Sequence, residues 1–181
     1  MKLNTGNIEK NLDKPIVLIG MMGSGKTHLG KMLAQSLNIP FYDSDQLVEA
    51  RGGLSVNEIF ELYGEERFRQ SEEKTILELL NNEACIIATG GGAPVNSVIL
   101  NAIKKQAISI WLKSDLKTIY KRIEQSKTRP LLKQDNPKQV LKELLDKREA
   151  VYTQADITIA INHNKADKSL AEMLEAIEQM L

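Results

Sequence analysis

The fold is decided by PIVLIGMMGSGKT, residues 15–27 of this 181-residue chain. The apolar, partly β-branched run 15–19 predicts a short strand that is buried on both faces, as in parallel sheets. The glycines after it predict a tight turn, and residues 26–37 carry apolar side chains at helical spacing. A strand, a glycine-rich turn and a helix in this order predict the first unit of an α/β fold.

The turn itself, residues 20–27, matches the phosphate-binding pattern G-x-x-x-x-G-K-[ST], the P-loop. Its glycines allow several backbone N–H groups to point inward at phosphate oxygens, and the helix N-terminus favours an anion. Lys26 supplies a positive charge for the β- and γ-phosphates, and the Thr27 hydroxyl is the expected Mg²⁺ ligand. The pattern therefore predicts a nucleotide site and leaves the phosphate acceptor open.

Working outward from this unit, short apolar runs alternate with amphipathic segments along the whole chain. Four further strands are predicted at residues 39–42, 84–88, 107–112 and 156–161. Further helices are predicted at residues 46–50, from 55 to an interruption at Gly64, and at 65–81, 95–105, 116–123, 140–152 and 169–181. Five strands that alternate with helices predict a three-layer α/β/α fold with a five-stranded parallel sheet, formed by residues 1–181 as one domain.

Two polar segments lie outside this alternation. Residues 1–14 are polar and aperiodic, and we expect a loose leader there. Residues 124–137 are polar and basic and contain two prolines, so little core burial anchors them. We expect this segment to be a mobile lid that orders over bound nucleotide.

The composition excludes several function classes. The chain has 24 basic and 24 acidic residues, so its formal net charge is zero and nucleic acid is not an expected partner. Its one cysteine, Cys85, lies in an apolar run and is expected to be an unreactive core residue. The longest uncharged stretch, 84–103, contains three glycines and a proline, and residues 1–14 lack the apolar segment of a secretory signal. We therefore expect a cytoplasmic protein without a membrane span.

Two large classes of P-loop protein fit poorly. A GTPase needs a D-x-x-G motif, and none of the eleven glycines has an aspartate three positions before it. Residues 164–167, NKAD, match the guanine-reading pattern, but only 14 residues follow them, too few for another strand and helix. A transport ATPase would usually end a core strand on an aspartate, whereas the third strand here runs into Thr89 and three glycines.

Two carboxylates follow the second strand, where ligands bind in parallel sheets. Asp43 and Asp45 leave that strand at i and i+2 and can serve different tasks, one toward Mg²⁺ and one toward the acceptor.

Several motifs follow the P-loop in a fixed order. They are Asp43-Ser44-Asp45, Phe68-Arg69-x-x-Glu72, Gly90-Gly91-Gly92, Arg129-Pro130-Leu131-Leu132 and Arg148 before Tyr152. In this order and spacing, which covers about residues 15–165, the chain resembles the shikimate kinases. The resemblance implies a P-loop kinase fold and transfer of the ATP γ-phosphoryl group to the 3-hydroxyl of shikimate, in the pathway to chorismate and the aromatic amino acids.

For the acceptor, the resemblance implies that Arg69 and Arg148 bind the shikimate carboxylate, since an arginine fork pairs bidentately with a carboxylate. Glu72 lies at i+3 from Arg69 and can hold that guanidinium in place. Asp45 is the expected contact to the hydroxyls and the candidate proton acceptor. The remaining expected contacts are Gly91 with its neighbours Gly90 and Gly92, and an apolar wall from Phe60 and Phe68.

For the nucleotide, the resemblance implies one Mg²⁺ held by Thr27 and Asp43, the latter through water. Lys26 and the lid residue Arg129 are expected to act on the transferring phosphoryl group, and Arg122 to stack on adenine. The full expected ATP-binding set is Gly23, Ser24, Gly25, Lys26, Thr27, His28, Arg122, Arg129 and Lys165. His28 departs from the family pattern, which has Ser or Thr there, so we expect only its backbone N–H to bind the α-phosphate.

Two other functions remain open from the residues. One is a different small-molecule kinase of similar build, such as a gluconate kinase. The other is a non-catalytic P-loop module that senses nucleotide or shikimate, although it would not need the acids and the lid arginine. We expect a monomer, with shikimate and ATP as ligands and no membrane partner.

Overall fold

One parallel five-stranded sheet organises the computed structural model, which describes residues 5–124, 136–161 and 165–181. The strands are β1 (Ile16–Ile19), β2 (Phe41–Asp43), β3 (Ile86–Ala88), β4 (Ile108–Lys113) and β5 (Ile157–Ala160). Their order across the sheet is β2-β3-β1-β4-β5, and every pair is parallel. Because β1 lies in the centre, the P-loop emerges from the middle of the sheet edge.

Helices cover both faces of this sheet. They are α1 (Gly6–Asn11), α2 (Lys26–Leu37), α3 (Ser44–Gly52), α4 (Val56–Leu80), α5 (Ser97–Gln106), α6 (Leu116–Glu124), α7 (Pro137–Tyr152) and α8 (Ala166–Met180). A short 3₁₀ turn, Ala93–Val95, precedes α5. In the described part of the chain no helix is both long and apolar enough to cross a membrane.

Alternate residues of β1 show how the three layers form. Val17 and Ile19 pack into a cluster with side chains of α4, α5, α6 and α7. Ile16 and Leu18 face the other way, into a cluster with α1, α2 and α8. All four are essentially inaccessible to water, as expected for a strand that is covered on both faces. The predicted three-layer α/β/α fold is confirmed.

The N-terminal leader differs from the prediction. Residues 6–11 form α1, in which Ile8 is 2% exposed, and Leu12 just beyond it is 8% exposed. Both pack into the cluster on the α2 and α8 side of the sheet. The expectation of a loose leader over 1–14 is therefore wrong for these residues, because two apolar side chains in a short polar segment give no periodic signal.

Several element boundaries also shift from their predicted positions. Helix α3 begins at Ser44 instead of residue 46, because the Asp43 side chain accepts hydrogen bonds from the Asp45 and Gln46 N–H groups and caps the helix. The capping box predicted at Ser55 and Glu58 is present at the start of α4. The predicted lid, about 124–137, lies almost entirely outside the described residues.

A break at Gly64 divides α4 into two helical segments. Gly64 has φ 80° and ψ 169°, values that interrupt the helix and that glycine adopts without steric cost. Ile59 of the first segment packs with Val48 of α3 and with Phe68, which lies beyond the break, in a small cluster separate from the two that cover the sheet. The second segment, which starts with Glu65 and carries Arg69 and Glu72, reaches back to the sheet.

The buried position of Ile8 gives the first testable prediction. Ile8→Ala should lower the free energy of unfolding by about 2 kcal/mol or more, because it removes a buried branched side chain and leaves a cavity against α8. Urea unfolding measures this loss. The control is Lys10→Ala on the exposed side of α1, which should change stability by less than about 0.5 kcal/mol. Equal stability of the two variants would show that α1 adds nothing to the core.

Candidate active site

The P-loop is shaped by glycines that adopt left-handed backbone conformations. Gly20, Gly23 and Gly25 have φ values of 137°, 78° and 97°, which side chains other than glycine rarely tolerate. Lys26 opens α2, and its Nζ donates hydrogen bonds to the carbonyl oxygens of Gly20 at 2.7 Å and Met21 at 2.9 Å. The lysine charge is thus held inside the loop that the sequence assigns to phosphate.

A hydroxyl and a carboxylate stand together beside the P-loop. Thr27 Oγ1 donates a hydrogen bond to Asp43 Oδ2 at 2.7 Å, which joins the start of α2 to the end of β2. Both are hard oxygen donors of the kind that Mg²⁺ prefers. The described residues contain no cluster of three or more His, Cys, Asp or Glu that could hold a metal alone.

Two buried carboxylates meet at Gly90, directly after β3. A Cβ added to Gly90 would lie 2.6 Å from Glu72 Oε1 and 2.8 Å from Asp45 Oδ1, so only glycine leaves room for both acids. Neither of these two oxygens has a hydrogen-bond partner within the described residues. Buried polar atoms are normally paired. The two free oxygens therefore indicate a ligand with hydroxyl groups to donate.

Burial governs the electrostatics of this carboxylate corner. Burial first, and then the negative charges of Glu72 and Asp43, raise the pKa of Asp45 to about 6 against the opposing charge of Lys26. Burial also raises the pKa of Glu72, against the opposing effect of the Arg69 and Arg148 charges. Asp45 therefore binds its proton more tightly than an ordinary aspartate.

Two arginines from distant parts of the sequence border the same corner. Arg69 Nη1 donates to Glu72 Oε2 at 2.7 Å, and Glu65 holds the other side of the guanidinium at 3.2 Å. A Cβ on Gly92 would lie 2.9 Å from Arg69 Nη1, and one on Gly91 would lie 3.5 Å from Arg148 Nη1. Gly91 and Gly92 therefore lie close to the Arg148 and Arg69 guanidinium groups, and the predicted contact of the glycine run with the acceptor stays a prediction.

The two predicted wall residues differ in exposure. Phe68 is 4% exposed and packs in the small cluster between α3 and α4, with Arg69 Cζ 5.3 Å from its ring centroid. Phe60 is half-buried, and its ring centroid lies 4.9 Å from that of Phe68. Phe68 thus packs against the Arg69 guanidinium, and Phe60 is the more accessible of the two rings.

Arg122, which is predicted to stack on adenine, lies against the P-loop. The Arg122 guanidinium donates to the carbonyl oxygens of Gly23 at 3.1 Å and Ser24 at 3.2 Å. Beside it is a cavity of about 290 Å³, lined by Ser24, Gly25, His28, Leu29, Arg122, Ile161, Ala166 and Ser169. The hydroxyls of Ser24 and Ser169 are buried without a partner among the described residues, so both can bind a ligand there.

The remaining predicted residues are less informative. Lys165 is exposed and precedes α8, and it does not line the cavity beside Arg122. Arg129 lies outside the described residues, so its predicted contact with the phosphates stays a prediction. Cys85 is buried, and burial raises the pKa of its thiol to about 11, which fits the expected inert core residue.

Fold and site together define a P-loop kinase with a pocket for a small polar acceptor. A family model described as shikimate kinase matches residues 22–178 of the chain. The chain therefore belongs to the shikimate kinase family, ATP-dependent kinases that act on a hydroxyl group of shikimate.

Individual relatives agree with this assignment. A shikimate kinase from Bartonella henselae is 40% identical over 169 residues, which cover 93% of this chain and 80% of the relative. The structure of shikimate kinase from Acinetobacter baumannii in complex with shikimate matches with a TM-score of 0.91 and 34% identity, over 96% of this chain and 98% of that one. A gluconokinase from Sinorhizobium meliloti covers 93% and 94% with a TM-score of 0.62, but at 15% identity it shows the fold alone.

Two residues near the site had no predicted role. Ser44 Oγ accepts a hydrogen bond from the Gly90 N–H at 3.2 Å and so ties the β2 end to the β3 end. Tyr152 donates to the Gly91 carbonyl oxygen. The spacing of Arg148 and Tyr152, i and i+4 on one helix, was a usable signal that both face the same loop.

The crowding at Gly90 gives a second prediction. Gly90→Ala should lower kcat/KM for shikimate by about 100-fold, because the new methyl group must displace Asp45 or Glu72 from the corner. Steady-state kinetics measure the loss. Gly52→Ala is the matched control, since its Cβ would meet only Ile59 at an ordinary 3.7 Å. If Gly90→Ala keeps the activity of Gly52→Ala, the corner does not bind the acceptor.

The raised pKa of Asp45 gives a third prediction. Between about pH 4 and 6 the folded state holds a proton that the unfolded state has released, so stability declines as the pH rises through this window. Asp45→Asn cannot become charged. It should therefore be more stable than the parent above pH 7, by on the order of 2 kcal/mol, and this difference should shrink toward pH 4.

Urea unfolding of nucleotide-free protein in EDTA measures that difference. Glu83→Gln, at an exposed position before β3, is the control and should show no such gap. A gap that does not change with pH would contradict the assigned burial of the Asp45 charge.

Proposed function

We propose that this chain transfers the γ-phosphoryl group of ATP to the 3-hydroxyl of shikimate and releases ADP and shikimate 3-phosphate. The observation that carries this proposal is the corner at Gly90. Two buried carboxylate oxygens lie there without a hydrogen-bond partner among residues 5–124, 136–161 and 165–181, with two arginines beside them. A small hydroxy acid supplies what this corner lacks, namely hydroxyl donors for the acids and a carboxylate for the arginines.

The P-loop end binds ATP. Backbone N–H groups of residues 23–28 surround the phosphates, and Lys26 turns its Nζ from the loop carbonyls to the β- and γ-phosphates. Arg122 and the cavity beside His28 receive the base. Lys165 borders this end, and Arg129 of the lid adds positive charge to the transferring group. These positive charges stabilise the charge that develops on the phosphoryl oxygens.

Thr27 and Asp43 would hold one Mg²⁺, which would supply positive charge beside the phosphates. The Thr27–Asp43 hydrogen bond keeps the two oxygen donors together before the ion binds.

Arg69 and Arg148 clamp the shikimate carboxylate. Arg69 Nη1 donates a hydrogen bond to Glu72 Oε2 at 2.7 Å, so the guanidinium is oriented before the substrate binds. The Gly90–Gly92 run lies against both arginines and allows the ring to approach the backbone. Phe60 borders the ring, while Phe68 backs Arg69.

Asp45 orients the 3-hydroxyl and accepts its proton as the oxygen–phosphorus bond forms and the bond to ADP breaks. Its pKa near 6 keeps it mostly ionised at neutral pH and makes it a stronger base than an ordinary aspartate. We further propose that the chain acts as a cytoplasmic monomer without nucleic acid or membrane partners, which is consistent with its zero net charge.

A coupled ADP assay with shikimate, gluconate or no acceptor tests the function. Shikimate-dependent ADP release, absent with gluconate, is the expected result. Activity with gluconate instead would favour the other small-molecule kinase. Nucleotide binding without turnover on any acceptor would favour a non-catalytic sensor.

The carboxylate clamp gives a fourth prediction. Arg69→Lys should raise KM for shikimate severely and leave ATP binding largely unchanged, because an ammonium group cannot form the bidentate pair. Loss of a charge-assisted bond of this kind costs roughly 2–5 kcal/mol. Arg67→Lys, on an exposed part of the same helix, is the control and should behave as the parent. Equal shikimate affinity in the two variants would remove Arg69 from the clamp.

A further inference from the structure

Tyr152, at the end of α7, connects the glycine run Gly90–Gly92, called the acceptor loop below, to the core. Its side chain is completely buried, and its ring packs against Trp111 of β4 with 5.9 Å between centroids. Its hydroxyl donates a hydrogen bond to the Gly91 carbonyl oxygen at 2.5 Å. Burial raises the pKa of this hydroxyl to about 12, so it remains a donor across the working pH range.

We propose that Tyr152 is a positioning residue for the phosphate acceptor: its hydroxyl fixes the peptide between Gly91 and Gly92, and with it the surface on which the substrate rests. This inference rests on the proposed function, because it assigns Tyr152 to the shikimate side of that same site.

The geometry of a trans peptide explains how one bond sets this surface. A peptide group is planar, and its carbonyl and N–H point in opposite directions. When Tyr152 holds the Gly91 carbonyl, the Gly92 N–H must point away from α7. Neither the Gly91 nor the Gly92 N–H donates a hydrogen bond within the described part of the chain. Both N–H groups remain available to a ligand, and the direction of the Gly92 N–H is fixed.

The Gly90 and Gly92 carbonyl oxygens accept hydrogen bonds from the Ala93 and Val95 N–H groups, both at 3.1 Å, which leaves the Gly91 carbonyl to be held from outside the loop. Three consecutive glycines can adopt many backbone conformations, and ordering each of them costs entropy. The Gly90 N–H is held by Ser44, and the Gly91 carbonyl is held by Tyr152. Ser44 therefore holds the N–H at the start of the loop, and Tyr152 holds the carbonyl in its middle.

The same tyrosine also lies beside the clamp and the P-loop. Met21 Sδ is 3.6 Å from the Tyr152 hydroxyl and 3.7 Å from Arg148 Nη1, which lies one turn earlier on α7. Tyr152 therefore contacts the acceptor loop and the P-loop at once, next to an arginine of the clamp. Its short hydrogen bond goes to the Gly91 carbonyl and its P-loop contact is to a weakly accepting sulfur, so we expect loss of the hydroxyl to act mainly on the Gly90–Gly92 loop.

Tyr152→Phe removes the hydroxyl and keeps the ring that packs on Trp111. We expect KM for shikimate to rise about tenfold or more and kcat to fall, since the buried Gly91 carbonyl loses its partner and the loop relaxes. KM for ATP should stay within about twofold of the parent value. In ¹H–¹⁵N spectra the Gly91 and Gly92 amide signals should shift.

Tyr120→Phe is the matched control, because Tyr120 is half-buried against the same side of the sheet and has no place in the site. It should change neither KM. Tyr152→4-aminophenylalanine retains an N–H donor at the same position and should restore much of the shikimate affinity.

Three results would overturn the inference. They are an unchanged KM for shikimate in Tyr152→Phe, an equal rise in both KM values, and unfolding of the variant at the assay temperature, which would assign the hydroxyl to fold stability alone. Failure of the proposed function looks different, because the parent protein itself would then release no ADP with shikimate.

Discussion

The whole site depends on the parallel pairing of β2, β3 and β1. Leu18 pairs with Ala88 and Asp43 pairs with Ala88, so the three strands end at one level of the sheet edge. The P-loop, the Asp43–Asp45 turn and the glycine run each follow one of these ends. A shift in register of one strand would move its loop away from the other two. The chemistry of the site is therefore fixed first by backbone hydrogen bonds among buried apolar strands.

The carboxylate corner shows that function is built here at a cost in stability. Asp45 and Glu72 are both removed from water, and each keeps one oxygen without a partner in the described residues. Burial and mutual repulsion destabilise the ionised pair. Packing elsewhere offsets that cost, because the two clusters on the sheet faces are filled with fully buried aliphatic side chains. The unfavourable burial of charge is thus confined to Asp45 and Glu72, where a ligand can donate hydrogen bonds to both.

The sequence predicted the architecture well because each strand is a short apolar run beside a turn signal. It also located the P-loop residues Lys26 and Thr27 on local pattern alone. Arg69 and Arg148 came together only through the family resemblance, since 78 residues separate them and no local pattern joins them. Helix α1 was missed because its core contacts come from only two side chains. The sequence did not predict that Gly90 makes room for Asp45 and Glu72. That role depends on two acids, distant in the sequence, that approach the same Cα.

Charge balance explains why such a corner suits one class of ligand. The guanidinium of Arg69 is shared between Glu72 and Glu65, while Glu72 Oε1 has no hydrogen-bond partner in the described part of the chain. A ligand carboxylate alone would satisfy the arginines and leave both buried acids without donors. A neutral polyol would donate hydrogen bonds to the acids but would bring no negative charge to pair with Arg69 and Arg148. Under the proposed function, a molecule with a carboxylate at one end and hydroxyls at the other completes both halves, and a rigid ring holds those groups at a fixed separation with little loss of entropy on binding.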